Sequence, residues 1–351
     1  MSRLSILDCF KASVTAFSVV AICVLSADVY AGVGKLSTAV VCREVNPVSG
    51  HAPSLLPPGK DFRLVWHDEF DGASLDFSKW SYRTNYWGRR APWYATAEDG
   101  CVELRDGVCF LKVRRLPNGE YVSPQLQTGG LMWDIPRIEH PRTMWSLPPL
   151  EKPKFEHRYG YYECRCRLQR EKGWWSAFWM QSASQGVTYD PGRSGVESDI
   201  MEAFEPGTVS THCFHYNGTG ADHRRFDSYR CTADGKKVVS AEVQSRIKAA
   251  EMNMGSDEFH VYGLLWEPDG YTVFIDGRQS GAKVGSGPGE AVSHVPQFIL
   301  VSTEVKGYRL NKATGEHDPD IETAASKGDN FAVDYVRVFD IVDSLKKDTG
   351  K

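Results

Sequence analysis

The sequence predicts an all-β fold, a sandwich or a barrel, and three observations carry that expectation. From about Asp61 to Asp343, short apolar or alternating runs recur, each broken by Gly, Pro, Asn or Asp. This is the texture of many short strands with turns between them. Aromatic residues are abundant, with 10 Trp, 15 Tyr and 16 Phe in 351 residues, and aromatics fit pleated, half-buried surfaces. Helical periodicity is scarce; Ser240–Met252 is the best short helix candidate. The net charge is −4, from 41 Lys+Arg against 45 Asp+Glu. No excess of cations is available for phosphates or anionic lipid, so nucleic acid and membrane surfaces are not expected partners.

In chain order, residues 1–31 read as a signal peptide. Residues 12–27 carry no charge and lie between Lys11 and Asp28. The run is short for a spanning helix, which needs about 20 apolar residues. It suits a signal h-region, with Arg3 and Lys11 as basic flank and a cut after Val29-Tyr30-Ala31; Asp8 is atypical there. A secreted or periplasmic protein is expected, with no integral membrane segment after cleavage. Residues 32–60, with Pro53, Pro57 and Pro58, read as a flexible linker. Residues 61–343 form the folded domain, and residues 344–351 a frayed polar tail.

Removing the signal removes Cys9 and Cys23 and leaves seven cysteines. An odd number leaves at least one thiol free or paired elsewhere. Cys101 and Cys109 flank an Arg105-Asp106-Gly107 turn and could face each other, and Cys213 with Cys231 is a second candidate pair. Cys164 and Cys166, two apart on a strand-like run, point to one face. Buried free thiols are the alternative throughout. No C-x-x-C pair exists, so a zinc site is not expected. Two hairpins are readable, at Glu267-Pro268-Asp269-Gly270 and at Asp276-Gly277.

The chemistry concentrates in Gly195–Phe204. On a strand, Glu197 and Asp199 share a face. Strict alternation sends Glu202 to the other face, and a single bulge between Asp199 and Glu202 brings it back. Three crowded carboxylates cannot all ionise cheaply, so at least one pKa rises. Glycoside hydrolysis needs one ionised carboxylate and one protonated acid. The plainer readings are an exposed acidic strand or a calcium ligand set. Upstream, alternation puts Trp175, Ala177 and Trp179 on one face and Phe178 and Met180 on the other. Two indoles separated by Ala make a platform on which sugar rings stack. Downstream, His212 and His215 fall on opposite faces, and His215 could donate to a sugar hydroxyl or a carboxylate.

At these residues the chain resembles a known family. Glu197-Ser198-Asp199-Ile200-Met201-Glu202 is similar to the E-x-D-x-x-E signature of glycoside hydrolase family 16, in its bulged, laminarinase- and agarase-like branch. Trp66–Gly72 resembles the family's opening strand, Tyr159–Glu163 its Y-G-Y-x-E strand, and Trp175–Trp179 its W-P-A-F-W strand with Ser176 for Pro. Phe259–Tyr262 with Trp266 resembles a late hairpin, and Asp334–Val338 the closing strand. The resemblance implies a jelly-roll β-sandwich, concanavalin A-like, with a concave substrate cleft. It implies retaining, endo-acting hydrolysis of a β-glycosidic bond. Glu197 then corresponds to the nucleophile, Glu202 to the general acid/base and Asp199 to the carboxylate that tunes the nucleophile. Trp175, Trp179, His215, Trp87 and Asn85 are the expected substrate contacts. No cofactor is required; a structural calcium through Asp334 is an expectation from the family. One departure is Ser198, where a branched aliphatic is usual; a buried hydroxyl without a partner costs about 1–3 kcal/mol.

The expected substrate is a β-1,3 or mixed-linked β-glucan, handled by a monomer. A marine galactan is the alternative, with Arg83, Arg89 and Arg90 able to form a basic loop for sulfated sugars. A transglycosylase and a non-catalytic glycan-binding protein on the same fold are the other readings.

Overall fold

The alternating runs become two antiparallel sheets packed face to face, a jelly-roll sandwich. This is the arrangement that lets strands with one apolar face bury it. The computed structural model describes residues 36–86, 89–90, 93–129, 152–185, 188–211, 213–216, 224–226, 246–248, 258–285, 290–305 and 318–342. Among these, each sheet has nine strands. The first, here the outer sheet, runs Leu36–Val41, Arg278–Val284, Gly270–Ile275, His260–Glu267, Gly160–Arg167, Asn330–Val342, Val108–Lys112, Val102–Arg105. Asp61–Asp68 also pairs with the long closing strand Asn330–Val342. The second, here the acidic sheet, runs Arg224–Phe226, Cys213–Tyr216, Glu197–Glu205, Trp174–Gln181, Phe298–Val305, Gln125–Gln127, Ser81–Tyr82. Thr208–Ser210 extends it, pairing with both Glu197–Glu205 and Arg246–Lys248.

The core lies between the sheets. The outer sheet contributes Tyr162, Cys164 and Cys166, and the acidic sheet Trp174, Phe178, Met180 and Met201, all fully buried. Phe214 of the acidic sheet stacks on Tyr271 of the outer one at 4.6 Å between centroids. Both expected hairpins are present. Glu267 pairs with Gly270, and Ile275 with Arg278. Asp276 and Gly277 take φ of 47° and 72°, the two left-handed residues of a type I′ turn. Gly160, with φ of 104°, opens its strand where any Cβ would collide with the Phe339 carbonyl, which explains the glycine between Tyr159 and Tyr161.

Three expectations need correction. The stretch 32–60 is no loose linker where it is described. Arg43–Val45 and Ser54–Leu56 form a hairpin, and Leu56 joins Tyr161, Leu265, Phe274 and Phe339 in a small core on the outside of the outer sheet. Backbone groups of this hairpin satisfy buried side chains: Leu55 N–H donates to Glu163 at 2.7 Å, and Arg337 donates to the Ala52 carbonyl at 2.9 Å. The helix candidate Ser240–Met252 is described only at 246–248, where it is a strand. The described helix of more than one turn is instead Asp320–Lys327, anchored by buried Ile321 and Ala324 and closed by Gly328 at φ 65°. Its eight residues show too few turns for a periodic signal. The six described cysteines are free thiols, and all but Cys42 are buried. Cys109 stands opposite Leu104 across the hairpin, not opposite Cys101. Cys231, the signal segment 1–31 and the tail 344–351 lie outside the described residues.

Candidate active site

The acidic strand sits mid-sheet between the tryptophan strand and Cys213–Tyr216. Its register supplies the bulge. Phe178 pairs with Met201 and Trp179 with Asp199, so Ile200 is the extra residue. Asp199 and Glu202 therefore stand beside Trp179 and Ala177 on one face, while Ile200 and Met201 reach the core. Ser198 points into that core, and its hydroxyl donates to the Val196 carbonyl at 3.5 Å. That long contact offsets part of the cost expected for a hydroxyl at this position. The strand's entry is pinned by Gln297, whose side-chain amide donates to the Val196 carbonyl.

On the carboxylate face, Trp179 Nε1 donates to Ser302 Oγ at 2.9 Å, and Trp175 packs against Phe204 with centroids 5.2 Å apart. The two indoles are 4% and 7% exposed, so they form the floor of the site rather than a projecting platform. His215 lies in register with Glu197, and its Nε2 is 3.5 Å from Asp199 Oδ2. Asn85 is in a short hairpin with Arg90, but its side chain lies outside the described residues, as do Trp87 and His212.

Three further polar groups complete the site. Arg83, 2% exposed, leaves the edge strand and donates to Gln181 Oε1 at 3.1 Å. Gln181 Nε2 in turn donates to Glu197 Oε2 at 3.1 Å. The arginine fixes which end of the amide faces Glu197, since only the NH₂ group can donate to a carboxylate. Arg83 also lies 5.1 Å over the Trp179 ring. Glu304 is a fourth carboxylate, buried opposite Trp175 and held by Gln125 Nε2 at 2.7 Å. Nothing in local sequence marks Gln181 or Glu304, and Arg83 was expected only in a basic loop. These three residues are 98 to 221 residues apart in sequence, and only sheet order brings them to one face.

Burial pushes the Glu197 carboxyl up to about 8, with Glu202 and Glu304 adding to the rise and Arg83 and Gln181 opposing it. A proton is therefore retained within the carboxylate set near neutrality and belongs to the set as a whole.

Asp334 does not fit the expected calcium. Its carboxylate lies at the bulge of the closing strand and accepts from Arg165 Nη1 at 2.6 Å. A guanidinium in contact supplies the positive charge that a cation would bring and repels that cation.

The comparisons with known proteins agree with this geometry. Residues 143–283 match the family model for glycosyl hydrolases family 16. The chain is 30% identical over 230 residues to a beta-glucanase of Rhodothermus marinus, covering 61% of this chain and 63% of that protein. It is 25% identical over 227 residues to glucan endo-1,3-beta-glucosidase A1 of Niallia circulans, covering 61% of this chain and 28% of that protein. It is 23% identical to beta-porphyranase B of Zobellia galactanivorans, covering 63% of this chain and 68% of that protein. The chain thus spans less than two thirds of the first two of these relatives. In fold it is similar to the laminarinase from Rhodothermus marinus, with a TM-score of 0.53 at 22% identity over 81% of this chain and all of that one. The bulged acidic strand, the sandwich that carries it and these matches point one way: residues 143–283, which hold the acidic strand, are similar to glycosyl hydrolases family 16.

Proposed function

We propose that the protein is a retaining endo-β-glycan hydrolase acting on a β-1,3 or mixed-linked β-glucan. The observation that carries this is the bulge at Ile200, which turns Glu197, Asp199 and Glu202 of one strand to one face. In this reading Glu197 attacks the anomeric carbon while Glu202 protonates the leaving oxygen. Water, deprotonated by Glu202, then releases the glycosyl-enzyme with net retention. Asp199 sits beside the nucleophile and partners His215. Gln181, oriented by Arg83, holds Glu197 Oε2 in place and stabilises its ionised form. Substrate entering the cleft displaces water and moves the shared proton toward Glu202, the more exposed of the two.

Two findings favour a glucan over a sulfated galactan. The glucanases of Rhodothermus marinus and Niallia circulans are similar to the chain over about three fifths of its length. Arg83, one of the three cations expected to meet sulfate, is buried against Gln181 and Trp179. The porphyranase similarity keeps the galactan reading as the alternative. Secretion belongs to the proposal as well, supported by the uncharged run at 12–27; no helix among the described residues is long and apolar enough to cross a membrane. The test is a reducing-sugar assay on laminarin, mixed-linked glucan, agarose, porphyran, carrageenan and xyloglucan, with Glu197→Ala as control. Release from laminarin or mixed-linked glucan, absent in the variant and with retained anomeric configuration by NMR, is the expected result. Release from porphyran alone would move the assignment to galactans.

A further inference from the structure

Cys213 and His215 lie on the strand beside the acidic strand, in register with Asp199 and Glu197. Residues two apart on a strand share a face, so both look the same way as the carboxylates. Their donor atoms converge. Cys213 Sγ is 3.2 Å from His215 Nε2, and that same nitrogen is 3.5 Å from Asp199 Oδ2. All three donor atoms lie within 4.8 Å of one another.

This is not the geometry of a proton relay. A nucleophile–His–carboxylate relay uses the two opposite ring nitrogens, one for each partner. Here one nitrogen faces both the thiol and the carboxylate, so three donors point at a common centre. Ligand atoms roughly 2.0–2.3 Å from a tetrahedral zinc ion stand about 3.3–3.7 Å from each other. The two shorter separations already lie close to that spacing. Cys213 is 1% exposed and Asp199 5%, whereas the His215 side chain is 22% exposed. A cation can therefore enter past His215 and keep a fourth position open to water, as three-ligand zinc sites do.

We propose that Asp199, Cys213 and His215 bind one zinc-class divalent cation, and that this occupancy reversibly shuts the cleft. A thiolate with an imidazole selects zinc, and related soft or borderline ions, over calcium or magnesium. Binding forms a metal–sulfur bond and releases the Sγ proton to solvent, with no change of oxidation state. The cation takes Asp199 Oδ2 and His215 Nε2 away from the carboxylate set and from substrate. The shut-off rests on the hydrolase reading; the binding itself does not.

The experiment uses the full chain, reduced and stripped with a chelator. Equilibrium dialysis against Zn²⁺ is expected to give one bound equivalent. Cys213→Ala should weaken that binding by about 100-fold or more, at or above the loss from removing an outer-shell partner. Co²⁺ as a probe should give a thiolate-to-cobalt charge-transfer band in the wild type that Cys213→Ala lacks. Cys213→Ser keeps the side chain's size and serves if the alanine variant folds poorly. Both variants should hydrolyse like the wild type in chelator and lose sensitivity to stoichiometric zinc. Equal zinc binding by wild type and variants, or a cobalt spectrum without the thiolate band, would overturn the site. Wild-type hydrolysis unaffected by one bound zinc would overturn the shut-off. If no polymer is hydrolysed, dialysis and the cobalt band still decide the metal site, so the two readings fail separately.

Discussion

Glu69 and Glu163 near the outer sheet and Glu197 and Glu304 on the acidic sheet are all less than a tenth exposed, yet their surroundings differ. Glu69 accepts from Arg337 Nε at 2.9 Å and Nη2 at 2.7 Å, and Arg337 is itself fully buried. Glu163 accepts from the Leu55 backbone at 2.7 Å, with Ser54, Tyr335 and Arg337 adding to its support. The N-terminal hairpin closes over this cluster. On the acidic sheet, the Arg83 guanidinium serves Glu197 only through Gln181, while Glu202 and Glu304 raise its pKa. At Glu69 the outer cluster spends its donors on neutralising charge and becomes structure. The cleft leaves charge partly uncompensated, and partial compensation is what keeps a carboxylate reactive.

The contrast can be broken at several points. The largest effect is expected from Glu197→Ala or Glu202→Ala, which should lower turnover by about 10⁴-fold or more while the fold survives. Steady-state kinetics on laminarin checks this, and a variant with wild-type rates would remove the residue from the mechanism. Arg337→Met should do the reverse. It strands Glu69 in a buried site, at a cost of about 3–5 kcal/mol of stability, read as a drop in the urea midpoint. Activity per folded molecule should be unchanged.

Arg83→Met should leave stability less affected but sharpen the electrostatic half of the comparison. Arg83 favours ionised Glu197, so its loss should move the acidic limb of kcat/KM to higher pH by about one unit. The profile is measured in chelator. An unshifted limb would mean that Gln181 alone tunes the nucleophile. The smallest effect is in pH-dependent stability. Burial pushes Glu163 from 4.5 up to about 7, and Glu197 from 4.5 to about 8. A carboxyl raised in the folded state binds its proton more tightly there than in the unfolded chain. Its contribution is therefore complete below about 4.5 and is lost as pH climbs through about 7 and about 8. Glu163→Gln should flatten the fall in stability between pH 5 and pH 8; denaturation midpoints at those two values test it.

Much of this is legible in the sequence alone. Period-2 alternation assigned Trp175 and Trp179 to one face and Phe178 and Met180 to the other, because successive strand side chains must point opposite ways. The spacing of Glu197, Asp199 and Glu202 required one extra residue, and Ile200 is that residue. The Asp276-Gly277 turn followed from local backbone preference. What stayed hidden depended on contacts distant in sequence. The Pro-rich stretch before Asp61 looked like a linker, since its short strands acquire their partners only across the outer sheet. Asp334 matched a calcium-binding pattern, and Arg165, 169 residues away, occupies its carboxylate.

The sequence by itself determined the fold class, the strand turns and the acidic strand, all of which arise from periodicity and neighbours within a few residues. Tertiary structure alone decided which charges meet. Strand order placed Arg83 and Gln181 behind Glu197, and strand register placed Cys213 and His215 against Asp199. Charge interactions act through space at a few ångströms, and no local pattern encodes those distances.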